Sequence, residues 1–439
     1  ITLAAIDNRT YGDADFSVTT SASSGLTVAI RVSPLSVCRT SGGTTIQIIS
    51  NGTCTVTASQ LGNDNYLEAT AEQKSFTVAR KNLTISGMSA LSRTYDATTD
   101  ATDLVVPSEP DAVLNGVVSG DAVEPDFSAM RASFATKSAG TNKPITVTGI
   151  ALAGAQAGRY TVSQPTAITA DIEQKSITVT GITVPTRAYD TTNVARLDFD
   201  AHAFVGVEDG DAVTLDTSNH SATYPNAVVG QSKTVTVAGL GVSGTDGPNY
   251  TLVQPVLQGT IIKAVAVISY AASRTAVYTG TPRVLSTSTT PAGLSVTTTY
   301  TGSGSTTYAT SQTAPTVTGS YSVASTIVDV NYEGSASSAW SITKQPITVT
   351  IDQAALNPVF DGAAKRVGAV TTPAGKNLVI TYTGTGTNDY QSAWPPTNAG
   401  TYTVSATVDE HDFSGSATAT LVIGRANQAT VSIVGTPTG

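Results

Sequence analysis

The sequence predicts an all-β protein made of tandem, sandwich-like modules, and three observations predict it. The first is alternation. Lys143–Gly149 reads KPITVTG and returns at Lys175–Gly181 as KSITVTG, with weaker versions at Lys81–Gly87 (KNLTISG), Ser232–Gly239 (SKTVTVAG) and Lys344–Thr350 (KQPITVT). Apolar residues at every second position are the pattern of a half-buried strand. The second is repetition: several short motifs recur in a constant order, the mark of tandem duplication. The third is size. A chain of 439 residues exceeds one ordinary core, and no helical periodicity lasts more than a turn or two.

Taken in order, residues 1–80 form a first module, with strands expected around FSVTT, LTVAIRV, TTIQII, CTVTASQ and SFTVA and a polar turn at Gly62-Asn63-Asp64-Asn65-Tyr66. It holds both cysteines, Cys38 and Cys54, which a hairpin could bring into register. The low charge and abundant small hydroxyl residues resemble an extracellular protein, so a disulfide is expected, stabilising by roughly 3 kcal/mol in the chain-entropy view.

Residues 81–175 and 176–264 repeat one order of motifs. Arg93-Thr94-Tyr95-Asp96 answers Arg187-Ala188-Tyr189-Asp190, Gly120-Asp121 answers Gly210-Asp211, and Arg159-Tyr160-Thr161 answers Asn249-Tyr250-Thr251. Residues 265–345 and 346–425 form a second pair. There Tyr278-Thr279-Gly280 matches Phe360-Asp361-Gly362, and Tyr332-Glu333-Gly334 matches Phe413-Ser414-Gly415. Exchange of Tyr for Phe at two matched positions argues for packing, since chemistry that uses a phenol does not accept Phe. Residues 426–439 read as the start of a following module, and the chain as a segment of a longer protein. The boundaries, near Arg80-Lys81, Gln174-Lys175, Ile262-Lys263 and Lys344-Gln345, contain no Gly/Ser or Pro-rich linker. A semi-rigid elongated rod follows, about 180 Å long at about 3.3 Å per strand residue.

Composition narrows the function. A net charge of -9 and a sequence pI near 4.8 disfavour nucleic acid and anionic membranes. No apolar run reaches the roughly 18 residues of a spanning helix. His202, His220 and His411 lie in unrelated contexts, without the spacing of a zinc site, and no serine sits in a nucleophile elbow. No catalytic residue and no cofactor is expected, and the chain reads as a non-enzyme.

Several features are candidate sites. Glu208, Asp209 and Asp211 surround a glycine turn and could contribute oxygens to calcium, although Asp also caps such turns through its own backbone. A second acidic cluster is Asp409, Glu410 and Asp412. The pairs Tyr95-Asp96 and Tyr189-Asp190 could face a glycan, but Tyr closing a core and Asp opening a turn is the stronger reading. Of the two tryptophans, Trp340 falls in a strand-like run and Trp394 in the loop-like SAWPP, which makes Trp394 the candidate ligand contact. The Asn142-Lys143 pair raises an intramolecular isopeptide crosslink. Asn8, Asn51, Asn82 and Asn219 begin glycosylation sequons.

Residues 81–264, with TYDATT, AYDTTN, SGDAV and DGDAV, resemble two YDG domains, although the third letter of that motif is replaced by Ala97 and Thr191. Residues 265–425, with TGTPRVLSTSTTPAGLSVTTTY and TNAGTYTVSATV, resemble two MBG domains. Residues 1–80, with SGLTVAI, GTCTVTASQ and GNDNY, resemble a bacterial Ig-like repeat. The resemblance implies an exported bacterial surface protein of the adhesin kind, located outside the cell or on its surface. Its implied role is a stalk whose partners are neighbouring repeats of the same chain. The alternatives are a carbohydrate- or host-surface-binding module and an accessory region of a secreted polysaccharide-degrading enzyme.

Overall fold

The computed structural model describes residues 1–107 and 112–428. Among the described residues its regular secondary structure is all β-strand apart from four three-residue 3-10 turns. By compactness the chain divides into two units. The first takes Ile1–Val184, Ala195–Thr223 and Thr234–Gln258. The second takes Pro185–Val194, Tyr224–Lys233 and the described residues from Gly259 on. The sequence-predicted start of a further module falls mainly on residues 429–439, outside the described residues.

In the first unit, the N-terminal module is a sandwich of two main sheets, with a separate short pair of Thr2–Leu3 and Thr20–Ser21. One has the order Arg9–Thr10, Ala69–Ala79, Gly52–Gln60, Ala29–Ser33, and the other the order Phe16–Ser17, Thr45–Ile48, Cys38–Gly42. Alternation along Gly52–Gln60 turns Cys54, Val56 and Ala58 inward, where Phe76, Val78 and Ile46 meet them. Cys38 and Cys54 form a disulfide with their Cα atoms 6.0 Å apart. The two cysteines belong to opposite sheets, so the bond clamps the sandwich. This corrects the expectation of a hairpin linkage. Local pattern can place each cysteine on an inward face, but it cannot say which sheet supplies that face.

The next module places KNLTISG and KPITVTG on different sheets. Lys81–Ser86 lies centrally between Val113–Asn115 and Tyr160–Ser163. Gly140–Thr148 lies between Ile168–Glu173 and Arg131–Phe134, with Arg93–Thr94 on the far side of Ile168–Glu173. Leu83 and Ile85 from one strand and Ile145 and Val147 from the other are all buried. One amphipathic string is therefore used in two different sheets, each time with its alternate apolar residues buried. The glycine that ends the string has its own cause. Gly149 and Gly181 sit at φ +79° and +78°, and a Cβ would lie 2.2 Å from the Ala129 carbonyl oxygen and 2.0 Å from that of Ala201. Only glycine fits such a left-handed, crowded turn. The third module repeats this arrangement within the first unit. There Lys175–Thr180 pairs antiparallel with Ala203–Val205 and parallel with Tyr250–Leu252.

In the second unit the two remaining modules are built around four-stranded sheets. The orders are Thr275–Val277, Ser335–Thr343, Gly319–Ile327, Val296–Ser303 and then Gln391–Ser392, Leu378–Gly384, Gly400–Val408, Ser416–Ile423. Trp340 is buried between Tyr300 and Tyr321, with ring centroids at 5.8 and 6.0 Å. In the following module Leu421 stands where Trp340 stands, paired with Tyr402 as Trp340 is with Tyr321. Among the described residues no helix is long and apolar enough to cross a membrane.

Candidate functional site

The site that the strands build repeatedly is the joint between successive modules. Each closing strand reaches the next opening strand through a single residue. Arg80 separates Ala69–Ala79 from Lys81–Ser86, Gln174 separates Ile168–Glu173 from Lys175–Thr180, Lys263 separates Val256–Ile262 from Ala264–Val265, and Lys344 separates Ser335–Thr343 from Gln345–Pro346. One residue leaves no slack for an independent linker.

A short edge segment then runs parallel to the closing strand and sets an aromatic at its end. The backbone N–H of Tyr11 donates to the Ala79 carbonyl, Tyr95 to Glu173, Tyr189 to Ile262, Tyr278 to Thr343 and Phe360 to Gly424, each at 2.9 Å. A second aromatic comes from the following module. Tyr160, Tyr250, Tyr332 and Phe413 each begin a strand that pairs in parallel with the opening strand, opposite Lys81, Lys175, Ala264 and Gln345. The two rings meet edge to face. Centroids are 5.4 Å apart for Tyr11–Tyr160, 5.4 Å for Tyr95–Tyr250, 5.3 Å for Tyr189–Tyr332 and 5.4 Å for Tyr278–Phe413. Such a pair contributes about 0.5–1.5 kcal/mol beyond its buried area.

The residue before the receiving aromatic makes a second link. The side chains of Asn249, Asn331 and Asp412 accept the backbone N–H of Ala139, Val229 and Thr318, at 2.9, 3.1 and 2.9 Å. Each donor immediately precedes the glycine that opens a long strand: Gly140–Thr148, Gly230–Ala238 or Gly319–Ile327.

Both joints of the first unit add a carboxylate clamp. Asp211 Oδ2 accepts the hydroxyls of Tyr95 at 2.7 Å and Tyr250 at 2.6 Å, and its Oδ1 accepts Lys137 Nζ at 2.5 Å. Asp121 Oδ2 accepts Tyr11 at 2.8 Å and Tyr160 at 2.5 Å, and its Oδ1 accepts Arg159 Nη1 at 3.0 Å. Burial alone would raise the Asp211 carboxyl, but the bonds from Lys137, Tyr250 and Tyr95 outweigh it and hold the group below the usual carboxylate value. Burial pushes the Tyr250 and Tyr160 hydroxyls well above the usual phenol value, and donating to a carboxylate pushes them further. The bond to Asp211 holds Lys137 above the usual lysine value. The Asp211 clamp is therefore a carboxylate, an ammonium and two intact phenols.

The joints of the second unit lack this clamp. At one, Lys263 Nζ donates to the Asp329 carbonyl at 2.6 Å. At the other, Asp412 Oδ1 accepts both the N–H and the hydroxyl of Thr318 at 2.9 Å, and lies 2.8 Å from His411 Nδ1. A polar cleft of about 710 Å³ beside that joint is lined by Thr306, Thr318, Lys344 and His411.

These joints redefine the residues singled out in the sequence. Tyr95 is buried at a joint, and Asp96 turns away to accept the N–H of Thr98 at 2.9 Å and to pair with Arg93. Tyr189 is half-buried at its joint, and Asp190 accepts the N–H of Thr192. Tyr278 is partnered by Phe413, whereas Phe360 is 38% exposed. Asp211 is taken up by two phenols and an ammonium, Glu208 pairs with Lys175, and Asp209 is exposed. Among the described residues no group of three or more His, Cys, Asp or Glu side chains is placed to hold a metal ion. The isopeptide geometry is likewise not assembled, since the Lys143 ammonium donates to the Thr136 hydroxyl on an exposed face. Trp394 is 80% exposed and borders a groove of about 290 Å³ with Arg366, Leu378 and Ile380. Sequence reasoning saw Asp121, Tyr160, Tyr250 and Tyr332 as recurrent but not that they cross modules. The available signal was the recurrence of Asn or Asp directly before an aromatic.

Comparison with protein-family models assigns most of this architecture. Residues 79–167 and 173–257 match the YDG domain, and residues 268–346 and 347–427 match the MBG domain. The chain carries two YDG domains followed by two MBG domains. The clamped joint between residues 79–167 and 173–257 is thus one between YDG domains, and the Tyr278–Phe413 joint is one between MBG domains. No curated protein matches the chain. Solved structures with some likeness include three N-terminal domains of the outer capsid protein Hoc of bacteriophage RB49, at 11% identity and a TM-score of 0.20, covering 57% of this chain and 99% of that one. Immunoglobulin domains 1–5 of Sidekick-1 give 11% identity and a TM-score of 0.21, covering 96% and 97%. Domains 4–9 of the surface layer protein SbsC give 13% identity and a TM-score of 0.18, covering 92% and 75%. At such TM-scores these likenesses support no argument.

Proposed function

We propose that the chain is a stalk segment of a large bacterial adhesin, exported to the cell surface or beyond, and that it acts as a spacer without enzymatic activity. The observation that carries this reading is the joint itself. A one-residue connection and an edge-to-face aromatic pair, joined at three of the four joints by a side-chain link from Asn or Asp, restrain one module against the next. A spacer needs such restraint, whereas a set of independent binding domains does not. Its partners are then neighbouring repeats of the same chain. Small-angle scattering tests it. A compact chain of this length has a radius of gyration of about 22 Å, whereas a row of modules about 180 Å long has one of about 50 Å. A value near the compact figure sinks the proposal.

One observation favours a second reading, in which a module binds carbohydrate or a host-surface protein. Trp394 offers an open indole face beside Arg366, and the fourth module has no tryptophan in its corresponding loop. Glycan-array binding that Trp394→Ala abolishes would support it. An array without signal would remove it.

A further inference from the structure

The backbone bond that sets the joint aromatic occurs five times, and four of the five rings have a partner from a following module. The fifth, Phe360, is held by the same 2.9 Å bond to Gly424, yet it is 38% exposed and is not part of the core of its own module. The second element of the joint is unpaired beside it. Ala399 precedes Gly400–Val408 as Ala139, Val229 and Thr318 precede their own strands, and no hydrogen bond engages its N–H among the described residues.

We propose that Phe360 and the Ala399 N–H form a docking socket for a further β-module of the same polypeptide, the one that residues 426–439 begin. The socket specifies its occupant. A ring must approach Phe360 edge to face, and the residue before that ring must carry a side-chain oxygen for Ala399. The recognised element is therefore Asn or Asp followed by Tyr or Phe, as in Asn249-Tyr250, Asn331-Tyr332 and Asp412-Phe413. Phe360 has no hydroxyl, so a clamp like that on Asp211 cannot form here. The joint belongs to the unclamped kind seen at Tyr278–Phe413. The sequence of the segment agrees, because Ala429-Thr430-Val431-Ser432-Ile433-Val434-Gly435 has the alternation and closing glycine of KSITVTG. Burial of an aromatic edge and use of an unpaired backbone donor are the forces that seat the module.

This inference rests on the serial-module reading above, and its readout is separate from overall shape. The chain is lengthened by replacing residues 425–439 with a second copy of residues 344–424, which brings a His-Asp-Phe sequence to the socket. Hydrogen exchange at the Ala399 amide is compared in the original and lengthened chains. The expected result is slowing of at least about tenfold on lengthening, abolished by Phe360→Ala and retained by Phe360→Tyr. The Phe360→Ala change should leave the thermal midpoint of the original chain unshifted. Unchanged exchange at Ala399 overturns the proposal, as does equal destabilisation of the original chain by Phe360→Ala, which would make the ring part of its own core. Sedimentation of the original chain covers the other occupant, a second copy presenting its exposed Asn65-Tyr66. A dimer lost on Tyr66→Ala would also overturn it. Failure at Ala399 leaves an extended scattering profile untouched, so the two proposals fall separately.

Discussion

Replacing Asp211 by Asn removes the charge at a clamped joint while keeping the size of the side chain. The Asp211 side chain is only 1% exposed, and water cannot take over its bonds. Its Oδ2 holds two phenols and its Oδ1 holds an ammonium. An amide accepts at one end and donates at the other, so in one orientation its N–H groups face the Lys137 ammonium and in the other they face two phenols that lose their shared acceptor. A hydrogen bond to a charged acceptor contributes about 1.5–3 kcal/mol and a neutral one about 0.5–1.5 kcal/mol. Losing two phenol–carboxylate bonds and retaining one or two neutral ones destabilises the joint by about 2–4 kcal/mol. A multidomain chain does not unfold in one step, so the readout is local. Hydrogen exchange at the Glu208 amide, which donates to the Tyr250 hydroxyl at 3.0 Å, and at Ala139 reports the opening of this joint. A double-mutant cycle with Tyr250→Phe completes the test. The Phe change should cost about 1.5–3 kcal/mol in the wild type and only about 0.5–1.5 kcal/mol in the Asp211→Asn background, where the charged acceptor is gone and the neutral bond from the Glu208 N–H is what remains to be lost. If the two effects add within about 0.5 kcal/mol, the carboxylate is not the shared acceptor and the clamp argument is refuted.

Three further outcomes are expected. The Asp211 value is depressed in the folded chain, so the stability it contributes is fully present above the unfolded value of about 3.9 and is lost as pH falls through the lower folded value; an acid titration of Glu208 exchange should show that step in the wild type and not in Asp211→Asn. Replacing Cys38 and Cys54 together by Ala should cost roughly 3 kcal/mol for a separation of 16 residues, and exchange should rise in both sheets of the first module; a rise confined to Cys38–Gly42 would deny the inter-sheet role. Gly181→Ala should lower stability by more than about 1 kcal/mol, because its Cβ meets a carbonyl at 2.0 Å, and should exceed the cost of Gly210→Ala, where φ is also left-handed but nothing lies within 4 Å; equal midpoints in thermal unfolding would contradict this.

The order of motifs, read along the chain, already separated packing from chemistry. Exchange of Tyr332 for Phe413 pointed to a ring that packs, and the structure gives both the same edge-to-face role. The Gly-Asp turns were less legible. Asp121 and Asp211 occupy matched turns, and a glycine-flanked carboxylate reads equally as a turn cap or a cation ligand. What distinguishes them is the Tyr hydroxyl that arrives from the preceding module, 110 residues away for Tyr11 and 116 for Tyr95.

By itself, the sequence determined the β-class, the tandem order, the inward faces of the strands and the absence of slack between modules. These follow from local quantities: period-two burial, the conformational demands of glycine, and the length of chain between strands. Tertiary structure decided which sheet each strand joins, and so that Cys38 and Cys54 bridge two sheets and that KNLTISG and KPITVTG lie in different sheets. It also decided that one tyrosine closes a joint on a buried carboxylate while its repeat, Tyr189, closes one without. The physical reason is common to all of these. Alternation says that a side chain must be covered, but the covering group comes from a distant part of the chain, and its chemistry is settled only where the two surfaces meet.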